Sequence, residues 1–159
     1  WPIIKRPIWY YSRIVTGQSG LGGLREGISS FGNPAVWWIG IPAALYMVYL
    51  WARKKDGTAA FLLTGYLAQY LPWFFVTRVT FIYHYFPSVV FAVMMTAYSL
   101  MQWKDKLPGK KLAAAAAAYG AVVIILFLMF YPVLSGQPVE ASYVDHYLRW
   151  FKSWVLTAR

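Results

Sequence analysis

Cysteine is absent from the 159 residues, which excludes a disulfide framework, a thiol nucleophile and any cysteine-built metal site, and leaves the redox compartment open. Carboxylates are scarce, with only Glu26, Asp56, Asp105, Glu140 and Asp145 present. Asp56 and Asp105 sit among lysines, where charge balance is their expected role. The others are not close in sequence, so no local acid/base pair is visible, and Glu140 or Asp145 serves as a base only if folding carries it to a site. Histidine is limited to His84 and His146. No His/Asp/Glu spacing has the pattern of a metal site, so no metal and no cofactor is expected. No nucleophile elbow supports a Ser-His-Asp arrangement. An apolar h-region is missing from the Pro-, Trp- and Arg-rich start, so no signal peptide is visible. With Trp1 first rather than a methionine, the sequence reads as part of a longer protein.

What is present is apolar. Hydrophobic residues make up 60%, aromatic residues 20% and charged residues 13%, where a soluble domain is about half apolar and a quarter charged. These proportions place the chain in a membrane. The net charge of +10 does not indicate nucleic acid, because the basic residues flank apolar segments instead of lining one face. Four segments are long enough to approach the roughly 30 Å hydrocarbon core: residues 35–52 with Pro42 inside, 59–76 with Gln69 and Pro72, 87–103, and 112–131. Kinks are expected at the prolines. The fold class is therefore an all-α membrane protein with four transmembrane helices.

Charge sets the expected orientation. The short loops 53–58 and 104–111 hold seven Lys/Arg between them, which predicts that both face the cytoplasm. The N-terminal stretch, the 77–86 connection and the C-terminal tail then face outward. Three regions follow: an outer interfacial and loop segment over 1–34, a four-helix membrane region over 35–131, and an outer C-terminal segment over 132–159.

In the first region, Trp1, Trp9, Tyr10 and Tyr11 beside Lys5, Arg6 and Arg13 read as an interfacial anchor. Gly17, Gly20, Gly22, Gly23 and Gly27 predict a flexible loop. A phosphate-cradling loop needs a strand before it and a helix with Lys-Ser/Thr after it, and neither is evident. In the tail, Val144, Tyr147, Leu148, Phe151 and Val155 recur at helical spacing, flanked by Trp150 and Trp154. An amphipathic helix over 143–159 lying in the headgroup plane is expected, with His146 on its surface.

The strongest local signal is Thr-Arg-Val-Thr-Phe-Ile-Tyr-His-Tyr-Phe-Pro at 77–87. A charge at membrane depth costs about 2.5–3.5 kcal/mol on insertion scales, so Arg78 needs a partner. An anionic ligand is one candidate, because the guanidinium fork matches phosphate oxygens. Snorkelling to the headgroups is the other. If 78–85 is helical, Arg78, Ile82 and Tyr85 share a face, with His84 offset from Arg78. Pro87 disfavours helical geometry at Phe86, so a break is expected there.

Several separated motifs resemble one family. Gly-Asn-Pro-Ala-Val-Trp-Trp at 32–38 is similar to the opening of the C-terminal membrane region of protein O-mannosyltransferases. Tyr70-Leu71-Pro72-Trp73-Phe74, then Arg78, Phe81, His84, Tyr85 and Pro87, resemble that family's Arg-x-x-Phe-x-x-His-Tyr-x-Pro pattern. Phe130-Tyr131-Pro132, Gly136, Leu148-Arg149-Trp150 and Trp154 resemble its closing segment, so the likeness covers essentially the whole chain. It implies a GT-C fold and transfer of mannose from a polyprenyl-phosphate carrier to Ser or Thr hydroxyls of exported proteins. It implies a bacterial-type member in the cell membrane, since the region before Asn33 is too short for the MIR domain of fungal and animal members. The catalytic base would come from an Asp-Glu pair in the N-terminal half of the enzyme. No such pair exists here, so the chain alone is expected to be inactive and to hold no catalytic residue. Its partners would be membrane lipid, the polyprenyl-phosphate sugar, the acceptor protein and that N-terminal half.

Arg78 is the expected contact to the leaving phosphate, with His84 and Tyr85 as supporting hydrogen-bond partners. Asn33 is expected to cap the first helix, Trp37 and Trp38 to join the interface belt, and Gln69 to bond between helices. A non-catalytic four-helix scaffold or assembly subunit is the alternative. A small transporter is less well supported, since paired broken helices are absent.

Overall fold

Asn33 and Pro34 start the bundle in a computed structural model that describes residues 1–15 and 23–157. Asn33 keeps extended backbone, and its Oδ1 accepts from the Ala35 N–H at 3.0 Å. Pro34 then enters the first turn, where a missing N–H leaves nothing unpaired. Helix α1 (Pro34–Lys54) carries Pro42 inside and stops where Lys55 takes a left-handed conformation, φ 56°. Asp56 opens α2 (Gly57–Tyr70) by accepting from the Ala59 N–H at 2.9 Å, and its second oxygen accepts from the Tyr98 hydroxyl at 2.8 Å. It thus does more than balance charge, since it caps one helix and ties it to another.

Helix α2 ends earlier than its hydropathy predicts. Leu71–Phe74 tightens into a 3-10 turn around Pro72, and residues 75–81 are not helical. Arg78 and Tyr85 therefore do not share a helix face. Ile82–Tyr85 forms another 3-10 turn that runs without a break into α3 (Phe86–Met101). Phe86 is helical (φ −56°, ψ −41°), contrary to the expected break. Pro87 falls in the first turn of α3, where its lost donor is harmless, while buried Ile82 and Tyr85 hold the preceding turn in place. Helix α4 (Gly109–Ser135) ends at Gly136 with φ 79°.

Among the described residues, three helical stretches are long and apolar enough to cross a membrane: Pro34–Lys54, Ile82–Met101 and Gly109–Ser135. Helix α2, at 14 residues, falls short of crossing length on its own.

Small residues let the helices approach. A Cβ on Gly40 of α1 would lie 2.9 Å from the Ala92 Cβ of α3, so the two helices meet almost backbone to backbone. One on Gly65 of α2 would strike the Phe91 ring. Met47, Leu50, Leu62, Leu63 and Met95 fill the space between these helices. Helix α4 joins mainly through its C-terminal half, where Phe130 and Val133 are buried and Asn33 Nδ2 donates to the Val123 carbonyl at 2.8 Å. The alanine run 113–118 is bare.

The segment before α1 is a β-hairpin rather than a loop. Strand β1 (Ile8–Val15) pairs antiparallel with β2 (Leu24–Ser30), with a bulge between Trp9 and Tyr11. Strand β3 (Val139–Glu140) extends the sheet on the far side of β2. Gly17, Gly20 and Gly22 lie outside the described residues, but Gly27 belongs to β2. A Cβ there would sit 2.6 Å from the Leu156 carbonyl, so this glycine lets the C-terminal segment press on the sheet. Ser29 Oγ fixes that segment by donating to the same carbonyl at 3.1 Å. A strand does precede the glycine run, yet a second strand follows it, so the pattern of a phosphate-cradling loop is not met.

The tail is helical only in part. Helix α5 (Ala141–Tyr143) runs on as a π-helical turn, Val144–Leu148, and helix ends there. Residues 149–157 pack as irregular chain, led by Trp154 among Phe31, Phe130 and Trp150 at ring distances of 5.5, 5.9 and 5.8 Å. Past Leu148 the expected stripe fails: Phe151 and Val155 are exposed, and the residues that bury are Trp154 and Leu156, which lie off it.

Candidate functional site

The connection 75–81, the N-terminal turn and the C-terminal segment meet at the end of the bundle opposite the two lysine-rich loops. Arg78 lies there, exposed, and among the described residues it has neither a hydrogen bond nor an ion pair. No described carboxylate serves as its counter-ion.

His84 is held by aromatic rings. Trp1 stacks on it at 6.1 Å, Tyr83 at 4.4 Å, and Trp73 meets its edge at 4.2 Å. Its Nδ1 lies 3.0 Å from the Phe81 carbonyl and 3.2 Å from the Phe81 N–H. When Nδ1–H donates to the carbonyl, Nε2 accepts; when Nδ1 accepts from the N–H, Nε2–H donates. Either way Nε2 is the nitrogen left for a ligand, with no partner among the described residues.

Tyr85 is fully buried. Its hydroxyl pairs with that of Tyr66 at 2.8 Å, and its ring meets Trp37 at 4.8 Å and Tyr70 at 5.5 Å. It packs behind His84 and keeps the 3-10 turn against α1 and α2. Trp37, expected in an interface belt, is instead core, and Gly32 leaves the space its indole fills. Trp38 is half-buried against Trp150 at 5.7 Å. Gln69 is exposed and makes no side-chain bond among the described residues.

Two cavities flank the connection. One of about 220 Å³ is lined by Trp1, Tyr70, Trp73, Phe74 and Thr80. The other, about 470 Å³, lies between Lys5, Arg6 and Ile8 on one side and Val79, Thr80 and Phe81 on the other. Trp1 and Thr80 border both. Lys5 and Arg6, expected in an interfacial anchor, border the larger cavity. The signal that could have singled them out is adjacent cations with no carboxylate nearby in sequence.

The shape of residues 1–5 comes from the other end of the chain. The Ile4 N–H closes a turn onto the Trp1 carbonyl at 2.8 Å. Ile4 is fully buried with φ 50°, a rare conformation for a β-branched residue. Trp154 Nε1 donates to the Ile4 carbonyl at 2.7 Å, and Ser153 Oγ to the Lys5 carbonyl at 2.6 Å.

Nearer the sheet, Asp145 takes Arg149 at 2.6 Å and Arg25 at 3.8 Å, so that carboxylate is committed to cations. Glu140 accepts from Ser142 Oγ at 3.0 Å. His146 is exposed, its Nδ1 2.9 Å from the Ser142 carbonyl. Among the described residues no three His, Asp or Glu side chains gather as a metal site would require.

A profile of the C-terminal four TMM region of protein-O-mannosyltransferase matches residues 1–154. The polyprenol-phosphate-mannose–protein mannosyltransferase of Corynebacterium glutamicum is 28% identical over 160 residues, covering 97% of this chain and 31% of that protein. Its Mycolicibacterium smegmatis counterpart is 25% identical over 162 residues, with the same coverage of 97% and 31%. The protein O-mannosyl-transferase 2 of Danio rerio is 26% identical over 168 residues, 86% of this chain and 22% of that protein. The chain thus spans about a third of the length of the bacterial relatives it matches. No solved structure matches it.

Proposed function

The chain belongs to the protein O-mannosyltransferase family, as its C-terminal membrane region, and from that premise we propose that it holds the phosphate of a lipid-linked sugar donor. The whole enzyme would move mannose from polyprenyl-phosphate-mannose to Ser or Thr hydroxyls of exported proteins. This region, with α2 and its 3-10 extension as a fourth crossing and α5 near the headgroups, would be part of a GT-C fold in a bacterial cell membrane. The lysine-rich loops would face the cytoplasm, and the sheet, Arg78 and both chain ends would face outward.

One observation carries the reading: Arg78 is exposed on the 75–81 connection with no counter-ion among the described residues. In the transfer, the acceptor hydroxyl attacks the anomeric carbon as the bond to the phosphate breaks. Negative charge grows on the leaving phosphate, and a guanidinium placed against it stabilises the transition state more than the ground state. His84 adds a donor through Nε2 in the tautomer whose Nδ1 accepts from Phe81, or in its protonated form. Tyr85 supports His84 from behind, in the same turn, since its hydroxyl is engaged by Tyr66. The base that takes the hydroxyl proton would come from the N-terminal half of the same enzyme.

The test is Arg78→Ala in the full-length protein, measuring polyprenyl-phosphate affinity and mannose transfer. Loss of a charge-assisted hydrogen bond of about 1.5–3 kcal/mol lowers affinity or turnover about 10- to 100-fold. Unchanged affinity and turnover would remove Arg78 from the site.

A further inference from the structure

The 470 Å³ cavity is bordered by two adjacent cations, Lys5 and Arg6. Both are exposed, and among the described residues neither side chain has a hydrogen bond or an ion pair. No carboxylate lines the cavity, whose remaining wall is apolar apart from Thr80. A volume in this range suits a small ligand or the head of a larger one. An unpaired cationic edge over an apolar wall fits an amphipathic anion, with the charge at Lys5 and Arg6 and the hydrocarbon against Val79, Phe81 and Ile82.

The backbone is built for this placement. Ile4 holds its left-handed conformation because Trp154 and Ser153 bind the Ile4 and Lys5 carbonyls, and because its own side chain is buried. Held strain of this kind fixes the direction in which the chain leaves residue 4, and hence where Lys5 and Arg6 stand. A membrane anchor that only snorkels needs no such positioning.

We infer that Lys5 and Arg6 are phosphate-binding residues for a polyprenyl-phosphate ligand, a second cationic contact on the cavity lined by Val79, the residue that follows Arg78. This rests on the donor reading above. The same chemistry could be met by an anionic phospholipid headgroup, so the test separates the two.

Full-length protein in nanodiscs of zwitterionic phosphatidylcholine is titrated with polyprenyl phosphate lacking sugar. The Lys5→Ala/Arg6→Ala protein binds about tenfold or more weakly than wild type, while Lys5→Arg/Arg6→Lys, which keeps both charges, stays within about threefold. Thermal unfolding of the double alanine protein stays near wild type, since both side chains are exposed. If it does not, Lys5→Gln/Arg6→Gln must reproduce the loss with unfolding unchanged. Unaltered affinity in phosphatidylcholine overturns the inference. So does a loss seen only in nanodiscs containing phosphatidylglycerol, which assigns the cations to the bilayer. A wild-type protein that binds the probe but transfers no mannose defeats the transfer reading, and the charge-dependent loss of binding still upholds this one.

Discussion

The Tyr85 hydroxyl lies 2.8 Å from the Tyr66 hydroxyl, joining the turn that opens α3 to the middle of α2, and both rings are buried. Because His84 precedes Tyr85, this bond fixes the base of the candidate site to the bundle. Each hydroxyl is the other's partner, so losing one leaves the other unpaired in an apolar surrounding.

Tyr85→Phe is therefore expected to destabilise the protein by about 0.5–2 kcal/mol. Tyr66→Phe/Tyr85→Phe should cost less than the sum of the single changes, because it leaves no orphan. Unfolding of the four proteins in a double-mutant cycle measures the coupling, and strict additivity would show that the bond contributes nothing.

Gly40 and Ala92 set the spacing of α1 and α3, with 2.9 Å available for any added Cβ. Gly40→Ala is expected to push the helices apart and cost about 1–3 kcal/mol through overpacking. Ala92→Gly in the same chain should restore most of the loss. A lower unfolding temperature for Gly40→Ala that the second change does not correct would refute the close contact.

Asp56 predicts a pH effect. The Ala59 N–H, aided by the Tyr98 hydroxyl, holds its carboxyl below the ordinary value of 3.8. With the folded value lower than the unfolded one, this contribution is complete above the unfolded value and is lost as pH falls through the folded one. Asp56→Ala should lose about 0.5–2 kcal/mol near neutral pH. The gap from wild type should narrow below about pH 3.8. Melting curves at pH 7 and pH 3 check the sign, and a gap that widens in acid would contradict it.

Asp145 neutralises Arg149 at 2.6 Å and draws Arg25 to 3.8 Å. Asp145→Asn would leave two half-buried guanidiniums facing each other, with an expected cost of about 1–2 kcal/mol. Added salt should shrink the penalty by screening their repulsion. Limited proteolysis of the hairpin and tail at low and high salt reports it.

The helices were legible because long apolar runs, Asn33-Pro34 and the basic loops mark them directly. Their ends were less so: Pro72 halted α2 several residues early, and Pro87 continued a helix that a local rule would have broken. The hairpin had a readable signal in the β-branched and aromatic residues of Ile8–Val15 before a glycine run. Membrane-interface aromatics share that composition, which hid it. The tail misled because Phe151 and Val155 continue the helical spacing of Val144, Tyr147 and Leu148 in sequence, while in the fold they stay exposed on irregular chain and Trp154 and Leu156 are buried in their place. Arg78 and His84 stood out as polar residues in an apolar stretch. Lys5 and Arg6 did not, because their neighbourhood is made by Ser153 and Trp154 from the far end of the chain.

That closure has a consequence for biogenesis. The bonds from Ser153 to Lys5 and from Trp154 to Ile4 span 148 and 150 positions of sequence, so the turn at residues 1–5 cannot take its final shape during early synthesis. Every helix of this region must be synthesised, and residues 153 and 154 must have left the ribosome, before those donors can be paired. Closure over so many residues is therefore expected to come late in assembly. A chain truncated before Ser153 would enter the membrane with its helices in place and its N-terminal turn unformed.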